Sequence, residues 1–220
     1  MSMSNRALAK SIGSCFALAI GLTLASTCLS ATTITFGGTA FGASGASSIV
    51  PGAQVETFEA GLPSNYGFSV GDTLNGIDQG AIPAVASPPT NDTSHYLATG
   101  AGSVTITYSR RISYFGLLWG SVDSYNTVTL RSGTTAQTYT GTDILSAPGF
   151  TALNGSAYVN FFAAGSSWDT VILASSKANF ELDNIATVSI PEPSSVALLA
   201  CGFLLAGFQL YKRKNAKSLV

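Results

Sequence analysis

Charge is scarce in this sequence. Asp, Glu, Lys and Arg make up 10% of its 220 residues, where a soluble domain carries about a quarter. Basic residues are scarcest in the interior. Between Thr32 and Ile190 they are Arg110, Arg111, Arg131 and Lys177, against ten acidic residues. Nucleic-acid ligands need clustered Lys and Arg to neutralise phosphates, so that class of function is excluded. Cysteine is missing from the same stretch, because Cys15, Cys28 and Cys201 lie in or beside the two hydrophobic ends. A disulfide framework and a cysteine zinc site are therefore excluded from the interior. There is one histidine, His95, which alone cannot build a histidine-rich metal site. The interior also lacks a G-x-S-x-G elbow in a strand-to-helix context. Gly100-Ala101-Gly102 precedes a strand and does not open a helix, so a phosphate loop is unsupported.

What is present begins with a signal peptide over residues 1–31. Arg6 and Lys10 precede an apolar run from Ile12 to Leu24, and small residues follow to Ala31. A basic start, a short apolar core and a small-residue cleavage region are its three parts. The run is short for a membrane span of about 20 residues.

Residues 32–189 read as an all-β ectodomain. Alternating, β-branched or aromatic runs predict strands at Ala31–Phe36, Gln54–Phe58, Ser103–Tyr108, Ile112–Trp119 and Tyr125–Leu130. Further strands are predicted at Ala136–Thr140, Ala157–Phe162, Thr170–Ala174 and Phe180–Val188. Gly37 to Gly52 reads as a flexible Gly/Ser-rich arm. Prolines at 63, 83, 88 and 89 confine Gly61–Pro89 to a surface excursion with at most short strands. Strands roughly 8–12 residues apart, separated by Gly, Ser and Asn, predict a β-sandwich of jelly-roll type. Trp119, Trp168, Tyr114, Phe115, Phe161 and Phe162 are its expected core, with Tyr125 and Tyr139 half-exposed.

The acidic residues offer one candidate metal site. Glu56 lies on an early strand and Asp183 on the last, in Glu181-Leu182-Asp183-Asn184-Ile185. First and last strands often adjoin in sandwiches, and oxygen ligands from both would suit structural Ca²⁺, a hard ion. The alternative is two solvated acids at strand ends. His95, within Asn91-Asp92-Thr93-Ser94-His95-Tyr96, reads as a surface or turn residue. With no evident catalytic pair, the expected function is non-enzymatic.

The C-terminal region, 190–215, has three parts. Pro191-Glu192-Pro193 comes first, an apolar helix over 195–211 follows, and Lys212-Arg213-Lys214 closes it. The core of that helix, Val196 to Leu210, is about 22 Å long at ~1.5 Å per residue. A hydrocarbon core is about 30 Å thick, so flanking residues must extend or snorkel. The basic end predicts a cytoplasmic C-terminus. The combination resembles the PEP-CTERM sorting signal of Gram-negative-type bacteria. The resemblance implies an exosortase as partner, cleavage near the motif, and release to the cell surface or exopolysaccharide.

Three interior blocks also resemble a family of exosortase-dependent surface proteins. They are Asn91-Asp92-Thr93-Ser94-His95-Tyr96-Leu97, the run from Tyr114 to Asn126 through Trp119-Gly120-Ser121-Val122-Asp123, and Phe180-Glu181-Leu182-Asp183-Asn184-Ile185. That resemblance implies location and leaves activity open. The expected protein is an exported surface or extracellular-matrix protein, passed through the export translocon and tethered by its tail until processed. The alternatives are a carbohydrate-binding module with exposed aromatics such as Tyr125 or Tyr139, and a hydrolase with His95 beside a carboxylate and a serine.

Overall fold

The computed structural model describes residues 32–69, 76–83, 86–177, 180–191 and 201–208. The first of these segments opens with β1 (Thr32–Phe36), then β2 (Gln54–Glu56) and β3 (Tyr66–Phe68). There follow β4 (Gly76–Gln79), β5 (His95–Thr99), β6 (Gly102–Trp119), β7 (Asn126–Ser132) and β8 (Thr135–Thr140). After a short helix α1 (Gly141–Ser146) come β9 (Ala157–Ala163), β10 (Trp168–Ser175) and β11 (Phe180–Ser189). The fold is all-β, an open sheet of 11 strands with the main path β4-β5-β11-β6-β10-β7-β8.

The long strand β6 sets this order. Its first half pairs with β3 through Val104–Ile106 and with β10 from Gly102 onward. Its second half pairs with β11 on one side and β9 on the other. The nearly continuous apolar run lies there, and all of residues 112–119 except Ser113 are buried. The changeover falls at Ser109, Arg110 and Arg111, all exposed. Two strands read separately from the sequence, Ser103–Tyr108 and Ile112–Trp119, are thus one strand of 18 residues.

The expected aromatics fill the core. Trp119 and Phe180 have ring centroids 4.8 Å apart, and Phe161 lies 6.2 Å from Phe115 and 5.4 Å from Tyr139. Trp168, Phe115 and Phe161 are fully buried, while Phe162 is only half-buried, against Tyr114. The short helix α1 escaped the strand pattern. Thr140 and Asp143 form a reciprocal capping box at its start.

The Gly/Ser-rich segment is not the flexible arm expected. Gly45 and Ala46 are buried, and Thr39 N–H donates to Ser47 O at 2.8 Å. Asn160 Nδ2 donates to Gly37 O at 2.9 Å, and Ser48 Oγ lies 2.8 Å from the Tyr114 hydroxyl. Small residues here let the backbone lie close on the sheet, and distant polar side chains hold it there.

At the C-terminal end, β11 stops at Ser189 and Ile190 N–H donates to Arg111 O at 2.8 Å. Pro191 is exposed. Residues 201–208 form a helix with exposed side chains, including Phe203, Leu204 and Leu205. Among the described residues no helix is long and apolar enough to cross a membrane. The signal segment 1–31, Glu192, Pro193, the basic end Lys212, Arg213 and Lys214, and the rest of the apolar segment 195–211 lie outside the described residues.

Candidate functional site

The sheet brings the three sequence blocks noted above to one place. Strand β11 carries Asp183 opposite Leu118 of β6. Its register then shifts before Ala186, and Asn184 takes a left-handed conformation with φ 49°. A bulge breaks the alternation of a strand. Here it brings the adjacent Asp183 and Asn184 to one region. Asn184 Nδ2 donates to Ser44 O at 2.6 Å and to Ala46 O at 3.1 Å. The Tyr158 hydroxyl donates to Asn184 O at 3.0 Å.

Asp92 arrives from the turn before β5. Asn91, at φ 64°, makes that turn, and Asp92 N–H donates to Pro89 O at 2.9 Å. Ser94 N–H donates to Asp92 Oδ1 at 2.9 Å, and the Ser94 hydroxyl donates to the same oxygen. The Ser94 hydroxyl is also 3.4 Å from Asp183 Oδ2. Thr93 donates both N–H and Oγ1–H to Ala43 O, at 2.8 and 2.9 Å. Two carboxylates therefore flank one hydroxyl beneath the loop of residues 42–47. Asp92 is 4% exposed and Asp183 0%. Burial pushes Asp183 up to about 9, and neighbouring Asp92 pushes the same way, against the opposing Asn184 amide and Ser94 hydroxyl.

Glu56 does not join them. It stands opposite Ile185, and its Oε1 accepts from its own neighbour Phe58 N–H at 2.8 Å. Its surroundings are a shallow groove of about 190 Å³ that also includes Tyr66 and Tyr108. β2 does adjoin β11 as the first-and-last-strand argument expected, but Asp183 pairs with Asp92. Among the described residues, no three His, Cys, Asp or Glu side chains converge as a metal-binding group.

A second buried acid, Glu181, lies on the same strand. Burial raises its pKa, and its Oε1 accepts from Ser87 N–H at 3.2 Å. Asp123 accepts from Ser121 Oγ at 2.7 Å and from the Tyr125 hydroxyl at 3.0 Å, which orders the turn after β6. Lys177 Nζ sits 5.2 Å from the Tyr125 ring centroid. Tyr125 therefore has a cation over its ring, and Tyr139 packs on Phe161; both are half-buried. Between residues 32 and 191, every described Phe, Tyr and Trp side chain is buried or half-buried.

His95 opens β5 and pairs with Glu59. His95 N–H donates to Glu59 Oε1, and His95 Nδ1 lies 2.9 Å from Glu59 Oε2. The adjacent Ser94 hydroxyl is engaged with the two aspartates. The backbone hydrogen bond first, then the side-chain contact, holds Glu59 below its usual 4.5. The unfolded chain binds this proton more readily. The contribution to stability is therefore present above about pH 4.5 and lost as pH falls through the folded value. NMR titration of Glu59 is expected to give a midpoint below 4.5. His95→Ala should move it only part of the way back, because the backbone donor remains.

No family model matches this chain, and no curated protein matches it. Among solved structures, it is similar to the K1 cleaved adhesin domain of Lys-gingipain from Porphyromonas gingivalis W83. That similarity covers 63% of this chain and 99% of the other, at 12% identity and a TM-score of 0.34.

Proposed function

We propose that this chain is an exported surface or extracellular-matrix protein, carrying a PEP-CTERM sorting signal that an exosortase cleaves. Its all-β domain is the cargo, a non-catalytic β-sandwich of jelly-roll type associated with exopolysaccharide or the cell envelope. The observation that carries the reading is where the sheet ends. Ile190 N–H makes the last backbone hydrogen bond to β6, and Pro191 follows it, exposed. The motif therefore begins where the folded domain stops. Proline lacks the N–H that would continue a ladder, so Pro191 closes the pairing of this end of the sheet. The sandwich reading draws support from β6, whose two halves have different neighbours, and from the Tyr139–Phe161 contact between β8 and β9.

The test is replacement of Pro191, Glu192 and Pro193 together by alanine in a host that carries an exosortase. The altered chain is expected to accumulate in the membrane fraction, while the unaltered chain reaches the surface or medium. Equal release of both would overturn the sorting role of the motif.

A further inference from the structure

We propose that Asp92 and Asp183, beneath the loop of residues 42–47, form a calcium site. Two observations carry it. The first is that each carboxylate keeps one oxygen without a hydrogen-bond partner, although both side chains are more than nine-tenths buried. These oxygens are Asp92 Oδ2 and Asp183 Oδ1. Buried acceptors are almost always satisfied, and a pair of neighbouring carboxylates is the costliest kind to leave open.

The second is a shortage of positive charge. The Ser94 hydroxyl lies between Asp92 Oδ1 and Asp183 Oδ2 but has one proton to give. The ion pairs His95–Glu59 and Arg111–Asp169 leave both aspartates out, so among the described residues no Lys, Arg or His is paired with Asp92 or Asp183. A cation supplies what the cluster lacks.

The surrounding chemistry favours calcium among cations. The neighbouring acceptors are oxygens: the Ser94 hydroxyl and the carbonyls of Ala43, Ser44 and Ala46, which accept from Thr93 and Asn184. No thiol or imidazole takes part, which disfavours zinc and copper. Calcium tolerates irregular sets of carboxylate, hydroxyl and carbonyl oxygen, whereas magnesium demands near-ideal octahedral geometry. Two carboxylates with neutral oxygens resemble the weak sites of extracellular modules, with Kd of about 0.1–1 mM. Bound calcium would tie the loop of residues 42–47, the turn before β5 and the bulge in β11 at one point.

The experiment is thermal unfolding of the purified full chain in chelator and in about 10 mM calcium chloride, where such a site raises the folding constant about 10- to 100-fold. Equilibrium dialysis runs alongside and is expected to find one calcium per chain. Asp183→Asn and Asp92→Asn keep the side-chain shape and should abolish the calcium response, while Glu56→Gln should retain it. Absence of a response and of bound calcium in the unaltered chain would overturn the site. So would a response that survives both asparagine substitutions. If either variant fails to fold, the dialysis result on the unaltered chain decides. Binding is read on purified protein, so failed sorting would leave this result unchanged.

Discussion

Trp119→Ala is expected to destabilise the fold by about 3–5 kcal/mol, lowering the melting temperature by about 6–20 °C. Trp119 ends β6, where Leu182 of β11 and Ala157 of β9 flank it. Its side chain is fully buried and packs against Phe180 with the rings tilted by 35°. Truncation to alanine leaves a cavity at the junction of three strands, which rigid ladders cannot close. Against a total of about 5–15 kcal/mol, that loss leaves little margin. Trp119→Phe separates packing from polarity. The indole Nε1 has no hydrogen-bond partner, so phenylalanine removes an unsatisfied donor while keeping most of the ring. It should cost well under half as much as alanine. Equal melting temperatures for Trp119→Ala and the unaltered chain would show that this junction is not a central packing point.

Gly45→Ala is expected to cost about 2–4 kcal/mol, from left-handed backbone strain and overpacking together. Gly45 has φ +66°, and an added Cβ would lie 2.4 Å from Leu118 Cδ2 and 3.2 Å from Asp92 Oδ2. Leu118 is fully buried and has little room to move. Gly52 has φ +77° with nothing within 4 Å, so Gly52→Ala measures the backbone component alone. It should cost about 1 kcal/mol. Equal losses at the two positions would show that the loop of residues 42–47 does not press on the sheet.

This loop also shows what pattern reading sees and what it misses. Strands such as β7 and β10 were legible because one buried face imposes an apolar period of two. β6 was read as two strands because Arg110 and Arg111 interrupt that pattern where the strand crosses solvent. β5 was missed because it is short and starts with His95 directly after a polar turn. The Gly/Ser-rich segment looked flexible because its composition is that of a linker. Its order comes from Asn160, Asn184 and Tyr114, side chains distant in sequence that bind its backbone or Ser48. Local composition cannot report such ties.

The candidate site was half legible. Asp183 stood out as an acid on the last strand, within Glu181-Leu182-Asp183-Asn184-Ile185. The sequence points to a partner, Glu56, on β2, the strand that does lie beside β11. The bulge at Asn184 defeats that reasoning, because alternation no longer says which residues share a face. Asp92 had a faint signal, an Asp two residues before Ser94 in a turn followed by apolar residues. A buried carboxylate cluster leaves little other mark on a single sequence, since its members need only meet in space.

The measurement that bears most directly on the sorting account is the C-terminus of the mature protein in its native host. Intact and peptide mass spectrometry of surface or medium fractions would read it. The account predicts chains that end near Pro191-Glu192-Pro193 and lack Lys212-Arg213-Lys214. Mature chains that still carry residues 212–220 would contradict it.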